Sequence, residues 1–82
     1  MKVHRRQHRV RIRTGPFQIT GNAHVLPGTK LDPYVLQTRM RFMAVTNAEV
    51  SSTTDPAWER RASVVLVNVG PIEDLSEVLT IS

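Results

Sequence analysis

The chain contains no cysteine. That excludes disulfide staples, a thiolate nucleophile and cysteine-ligated zinc or iron-sulfur sites, so stability must come from one apolar core, extended where copies associate. Aromatic residues are scarce, with two Phe, one Tyr and one Trp, which leaves few platforms for stacking unpaired bases. Long apolar runs are missing as well. The longest aliphatic run, Val64-Val65-Leu66-Val67, is far short of the roughly 18 residues of a membrane-spanning helix. The basic start, Met1-Lys2-Val3-His4-Arg5-Arg6, continues into Gln7-His8-Arg9 and not into the apolar segment of a secretory signal, so a cytoplasmic location is expected. With 82 residues there is room for one small domain and not for two separate cores.

Acidic residues are nearly absent from the first half. Residues 1–41 hold nine basic residues against one acidic, net +8, whereas residues 42–82 hold two against six, net −4. The overall +4 therefore hides two poles. Either the basic pole is a surface for an anionic partner, or the two poles meet inside the fold or between subunits.

Residues 1–8 read as a basic arm and 9–82 as a single domain. From Val10 the pattern alternates, Val10 and Ile12 against Arg9, Arg11 and Arg13, as a half-buried strand requires. Thr14-Gly15-Pro16 has hairpin chemistry, and alternation resumes with Phe17, Ile19, Gly21, Ala23 and Val25. Gly21 has no side chain to pack within this apolar set, so it marks a bend, a bulge or a close backbone approach. Pro27-Gly28 ends the strand. Asp32 followed by Pro33 is an N-cap signal for a short helix over Pro33 to Gln37.

A third strand is expected over Arg41 to Val50, then a polar turn, Ser51 to Pro56, and a fourth strand from near Trp58. In that strand Arg60, Ala62, Val64, Leu66 and Asn68 point one way, and Arg61, Ser63, Val65, Val67 and Val69 the other. Its Val-rich part is apolar on both sides, so both faces should be covered, by the helix or by another subunit. After Gly70-Pro71, residues 72–75 fit a helical turn before a last strand around Val78 to Ile81. A helix over residues 71–79 is the alternative, because Ile72, Leu75, Val78 and Leu79 also have helical spacing.

This element order resembles that of small five-stranded SH3-like and Sm-like barrels. Val10-x-Ile12-x-Thr14-Gly15 followed by Ile19-x-Gly21 is similar to the opening of the Sm pattern, and Ala62 to Asn68 with Gly70-x-Ile72 to its second half. The resemblance implies a mainly β barrel with one short helix inserted between strands 2 and 3 and a helical turn before strand 5. Where Sm proteins carry an Asp-x-x-Met-Asn-like loop for uridine, this chain has the Leu26 to Arg39 segment, so that RNA pocket does not transfer. The chain also resembles a family of short bacterial proteins of unknown function. The shared style is Ile19-x-Gly21, Pro27-Gly28-x-x-Leu31-x-Pro33-Tyr34, Arg41-Phe42, Thr46 to Val50 and Val65-Leu66-Val67-Asn68. That resemblance supports the element boundaries and implies no activity.

Catalytic and metal patterns are thin. On a strand His4 and His8 lie about 13 Å apart, too far to share a metal. His24 has no carboxylate near it in sequence, and Glu73, Asp74 and Glu77 form a cluster without a converging partner. No nucleophile elbow or phosphate-cradling glycine loop is present. No enzyme activity, metal or cofactor is therefore expected.

Two readings of function remain. The first is a noncatalytic binding or assembly module, a homo-oligomer joined through strand edges, with Trp58, Val65, Val67 and Val69 as candidate interface residues. The second is nucleic-acid binding, RNA in the first instance, through Arg5, Arg6, Arg9, Arg11 and Arg13. The last three would project from one strand face about 6.6 Å apart. On either reading Phe17 and Phe42 are expected in the core, with Tyr34 and Trp58 left for contacts.

Overall fold

The computed structural model describes residues 6–78. Alternating residues build the first two strands, β1 (Arg6–Thr14) and β2 (Phe17–Val25). Val10 and Ile12 are fully buried, while Arg11 and Arg13 on the opposite face are exposed. The two strands pair antiparallel with Thr14 opposite Phe17, leaving Gly15 and Pro16 as a two-residue turn. Gly15 has φ of 54° and proline fixes φ near −65°, the sign pattern of a type II′ turn, whose twist matches that of the flanking strands. β1 begins at Arg6, so the strand reaches back into the segment expected to be an arm; residues 1–5 lie outside the described part.

A short helix, α1 (Pro33–Arg39), follows the Pro27-Gly28 break. The Asp32 side chain accepts hydrogen bonds from the N–H groups of Tyr34 at 2.8 Å and Val35 at 3.3 Å. Pro33 occupies the first turn, where its missing donor costs nothing. Seven residues cannot hold a helix alone. Its anchor is Leu36, fully buried in the common core, with Leu31 and Met40 packed against that core.

Three further strands complete the sheet: β3 (Phe42–Ser52), β4 (Glu59–Asn68) and β5 (Ile72–Glu77). All pairings are antiparallel, in the order β4-β3-β2-β1-β5. The core lies on one face, built from Val10, Ile12, Ile19, Ala23, Val25, Met43, Val45, Ala48, Val67, Val69 and Ile72 together with Leu36. The sheet is open, with β4 and β5 as its two edges. The expected barrel is not formed within the described residues, because closure would require those two edges to meet.

The sheet bends along one row. Asn47 has φ of 48°, a conformation asparagine tolerates better than most residues, and the register of β2 against β3 shifts between Thr20 and Asn22. The inward residues of β3 consequently change from Met43 and Val45 to Ala48 and Val50. β4 keeps its register with β3 through the bend and changes with it. Ser63 and Val64 are both exposed, and Ala62, Val65 and Val67 turn inward. The single alternation expected across β4 is therefore broken at its middle.

Gly21 sits on this row. A β-carbon there would lie 2.6 Å from Val45 Cγ1, 2.8 Å from the Thr46 carbonyl oxygen and 3.1 Å from Ala48 Cα. The position requires glycine because β3 approaches too closely for any side chain.

The C-terminal segment departs from expectation. Residues 72–77 form β5 itself, and neither a helical turn nor a helix over residues 71–78 is present. The expected strand beyond Val78 lies outside the described residues. Ile72 pairs with Thr14 and Asp74 with Arg13, so Glu73 is an extra residue in a bulge. That bulge separates the inward residues Ile72 and Leu75 by three positions, which imitates helical spacing.

Candidate functional site: a basic strand face and an apolar edge

The face of the sheet opposite the core carries the arginines singled out for an anionic partner. Arg9, Arg11 and Arg13 all lie on it, Arg9 half-buried and the other two exposed. Their cross-strand neighbours on β2 are Asn22, Thr20 and Gln18. On the other side lies β5, where Arg11 faces Ser76 and Arg13 faces Asp74. The acidic pole thus lies directly beside the basic one. The Arg13 guanidinium is 3.7 Å from Glu73, with both side chains more than half exposed, a contact that solvent screens and that contributes little. Among the described residues, Arg9 and Arg11 make no ion pair. For Arg6 the backbone alone is described, opposite Val25, and Arg5 lies outside the described part.

The two described histidines are tied to neighbours, and His4 lies outside the described residues. His8 Nδ1 lies 3.3 Å from a Glu77 carboxylate oxygen, and His24 Nε2 shares a 2.7 Å hydrogen bond with the Thr46 hydroxyl. Among the described residues no three His, Asp or Glu side chains converge as metal ligands would. Across the bend Glu49 and Arg61 approach to 3.8 Å.

Trp58 closes one end of the sheet. The preceding turn is held by Ser52 Oγ, which accepts from the N–H groups of Thr54 and Asp55, and by the Asp55 carboxylate, which accepts from Ala57 N–H. The ring is half-buried, with its centroid 5.5 Å from that of Phe17 and the Arg60 guanidinium carbon 5.1 Å above it. A shallow cavity of about 350 Å³ lies beside it, walled by Pro16, Phe17 and Thr54 among others.

The remaining interface candidates point inward. Val67 and Val69 are buried in the chain's own core, and Val65 is half-buried against it. The exposed large apolar side chains of β4 are instead Val64, 56% accessible, and Leu66, 66% accessible. Phe17 and Phe42, both expected in the core, are 39% and 54% accessible: Phe17 at the start of β2 packs against Trp58, and Phe42 lies on the outward face because Met43 beside it takes the inward position on β3. Leu26 adds to the same end of that face, beside a cleft of about 410 Å³ lined by His24, Arg39, Met40, Phe42, Ala44 and Leu66. Tyr34 is exposed on α1.

Sequence reasoning placed the two-sided apolar strand but not its uncovered side. The available signal was the valine run itself, since a strand apolar on both faces must hide one of them elsewhere. No protein-family model matches the chain, and no curated protein matches it significantly.

Proposed function

We propose that this chain is a noncatalytic binding or assembly module that associates with itself through a strand edge. One observation carries the reading: β4 is an edge strand of ten residues that leaves Val64 and Leu66 in water on its outward side. Exposed apolar edges are sites where another strand adds, and proteins that stay monomeric blunt them with charge or proline. The strand order and the bend at Gly21 and Asn47 also support an SH3-like or Sm-like reading, in which the described sheet is a small barrel left open between β4 and β5. No described helix is long and apolar enough to cross a membrane. The test is sedimentation velocity over a concentration series. We expect a weight-average mass that rises above the 9.3 kDa monomer, and a return to monomer in Leu66→Lys. A strictly monomeric wild type at ~100 µM, where even a weak complex would be populated, sinks the reading.

Nucleic-acid binding is the second reading, favoured by Arg9 and Arg11, which share a face and make no ion pair among the described residues. The neighbouring acidic strand counts against it, since Glu73, Asp74 and Glu77 repel phosphates near that row.

A further inference from the structure

We infer that the strand added to the β4 edge belongs to a second copy of this chain, paired antiparallel about a two-fold axis that passes through Val65. This rests on the self-association reading above and goes further by naming the edge, the symmetry and the register.

The two sheet edges differ in chemistry. β5 has six residues, of which Glu73, Asp74 and Glu77 are acidic, so two β5 edges repel each other. β4 holds its charges, Glu59, Arg60 and Arg61, at its start; from Ala62 to Asn68 it has no charge, proline or glycine. A neutral stretch can lie against a copy of itself without opposing like charges, and it has none of the devices that keep an edge single.

Symmetry then restricts the register. Residues directly opposite in an antiparallel pair point to the same face, and a two-fold axis perpendicular to the sheet keeps the outward face outward. Beyond the break at Ser63 and Val64, β4 alternates regularly from Val64 to Asn68, so an axis within that run must pass through a residue. Within that run Val65 stands between the two exposed apolar residues, Val64 and Leu66. With the axis there, Val64 of each copy lies opposite Leu66 of the other, and the exposed side chains meet on the outward face beside Ala44, which neighbours Leu66 on β3. A shift of four residues toward the strand start would set Arg61 against Arg61 and leave Leu66 unpaired.

The magnitude sets the kind of complex. Regular pairing about Val65 covers Val64–Leu66, about 10 Å at ~3.4 Å per residue, a contact one strand wide and well short of a standard interface of ~800 Å² per partner. The dimer should therefore be reversible and concentration-dependent. It would also be closed: the joined sheet would run β5 to β5, with both outer edges acidic and no β4 edge left to recruit a third copy.

The lack of native cysteine makes a direct test possible. Val64→Cys and Leu66→Cys each place a single thiol at an exposed site, and in this register positions 64 and 66 of different copies lie ~5 Å apart, while like positions are ~7–8 Å apart on the diagonal. Equal amounts of the two variants are mixed, oxidised and read by mass spectrometry without reduction. The expected result is a mixed covalent dimer in several-fold excess over either homodimer. A statistical mixture, or preferential cross-linking of Leu66→Cys to Ser76→Cys on β5, in a protein that sedimentation shows to be oligomeric, overturns this geometry and leaves self-association standing. A monomer at ~100 µM overturns both.

Discussion

A single methyl group at position 21 tests whether the bend of the sheet depends on close backbone approach. In Gly21→Ala the new β-carbon would lie 2.6 Å from Val45 Cγ1, 2.8 Å from the Thr46 carbonyl oxygen and 3.1 Å from Ala48 Cα. Val45 is fully buried, and the other two atoms are backbone at the kink of β3. None of the three can swing aside as an exposed side chain would. Overpacking of this kind costs ~1–3 kcal/mol, and backbone contacts place this case near the upper end. Against that, alanine restricts the unfolded chain and returns ~0.4–1 kcal/mol where the backbone angle suits it. The net expectation is a loss of about 2 kcal/mol, or a fall in Tm of ~8–16 °C for a domain of this size. Urea unfolding followed by the fluorescence of Trp58, the single tryptophan, measures it, at one fixed protein concentration because association would add to apparent stability. Gly70→Ala is the control: its β-carbon would meet nothing nearer than Asn68 Oδ1 at 3.5 Å, and its stability should stay within ~0.5 kcal/mol of the parent. If Gly21→Ala behaves like that control, the close-approach account of the bend is wrong.

Two further changes probe the cap and the basic row. Asp32→Ala removes the acceptor of two N–H groups at the start of α1 and should cost ~1 kcal/mol in the same unfolding assay; an unchanged midpoint would mean that Leu36 burial alone holds the helix. The triple change Arg9→Ala/Arg11→Ala/Arg13→Ala addresses the nucleic-acid reading, with single-stranded RNA and duplex DNA titrated at two salt concentrations. If that reading holds, the parent binds with a steep salt dependence that the triple variant weakens by up to three phosphate contacts. No binding at low salt removes it.

Much of the fold was legible because local rules and tertiary packing agree. In β1, alternation of Val10 and Ile12 with arginines is also the burial pattern, since a strand beside a one-sided core has no other stable register. Asp32-Pro33 needs only the first turn of a helix to act, so its effect is local. Where period changes mid-strand, the same rules misled. Ile72 and Leu75 read as helical because a bulge at Glu73 widens a two-residue repeat to three. Val45 and Ala48 are spaced likewise by the kink at Asn47. Phe42 read as core by composition and lies outward because strand alternation gives the inward position to Met43 beside it.

The sequence by itself determined the number of cores, the β class, the helix cap, the glycine at the bend and the existence of two charge poles, because each follows from length, composition or contacts within a few residues. Only the tertiary structure decided that the acidic pole runs beside the basic one through the β1–β5 pairing. It likewise decided that the outward side of Val64 and Leu66 is the uncovered one. Both depend on which strands become neighbours, and pairing between residues some sixty positions apart leaves no local signal in either strand.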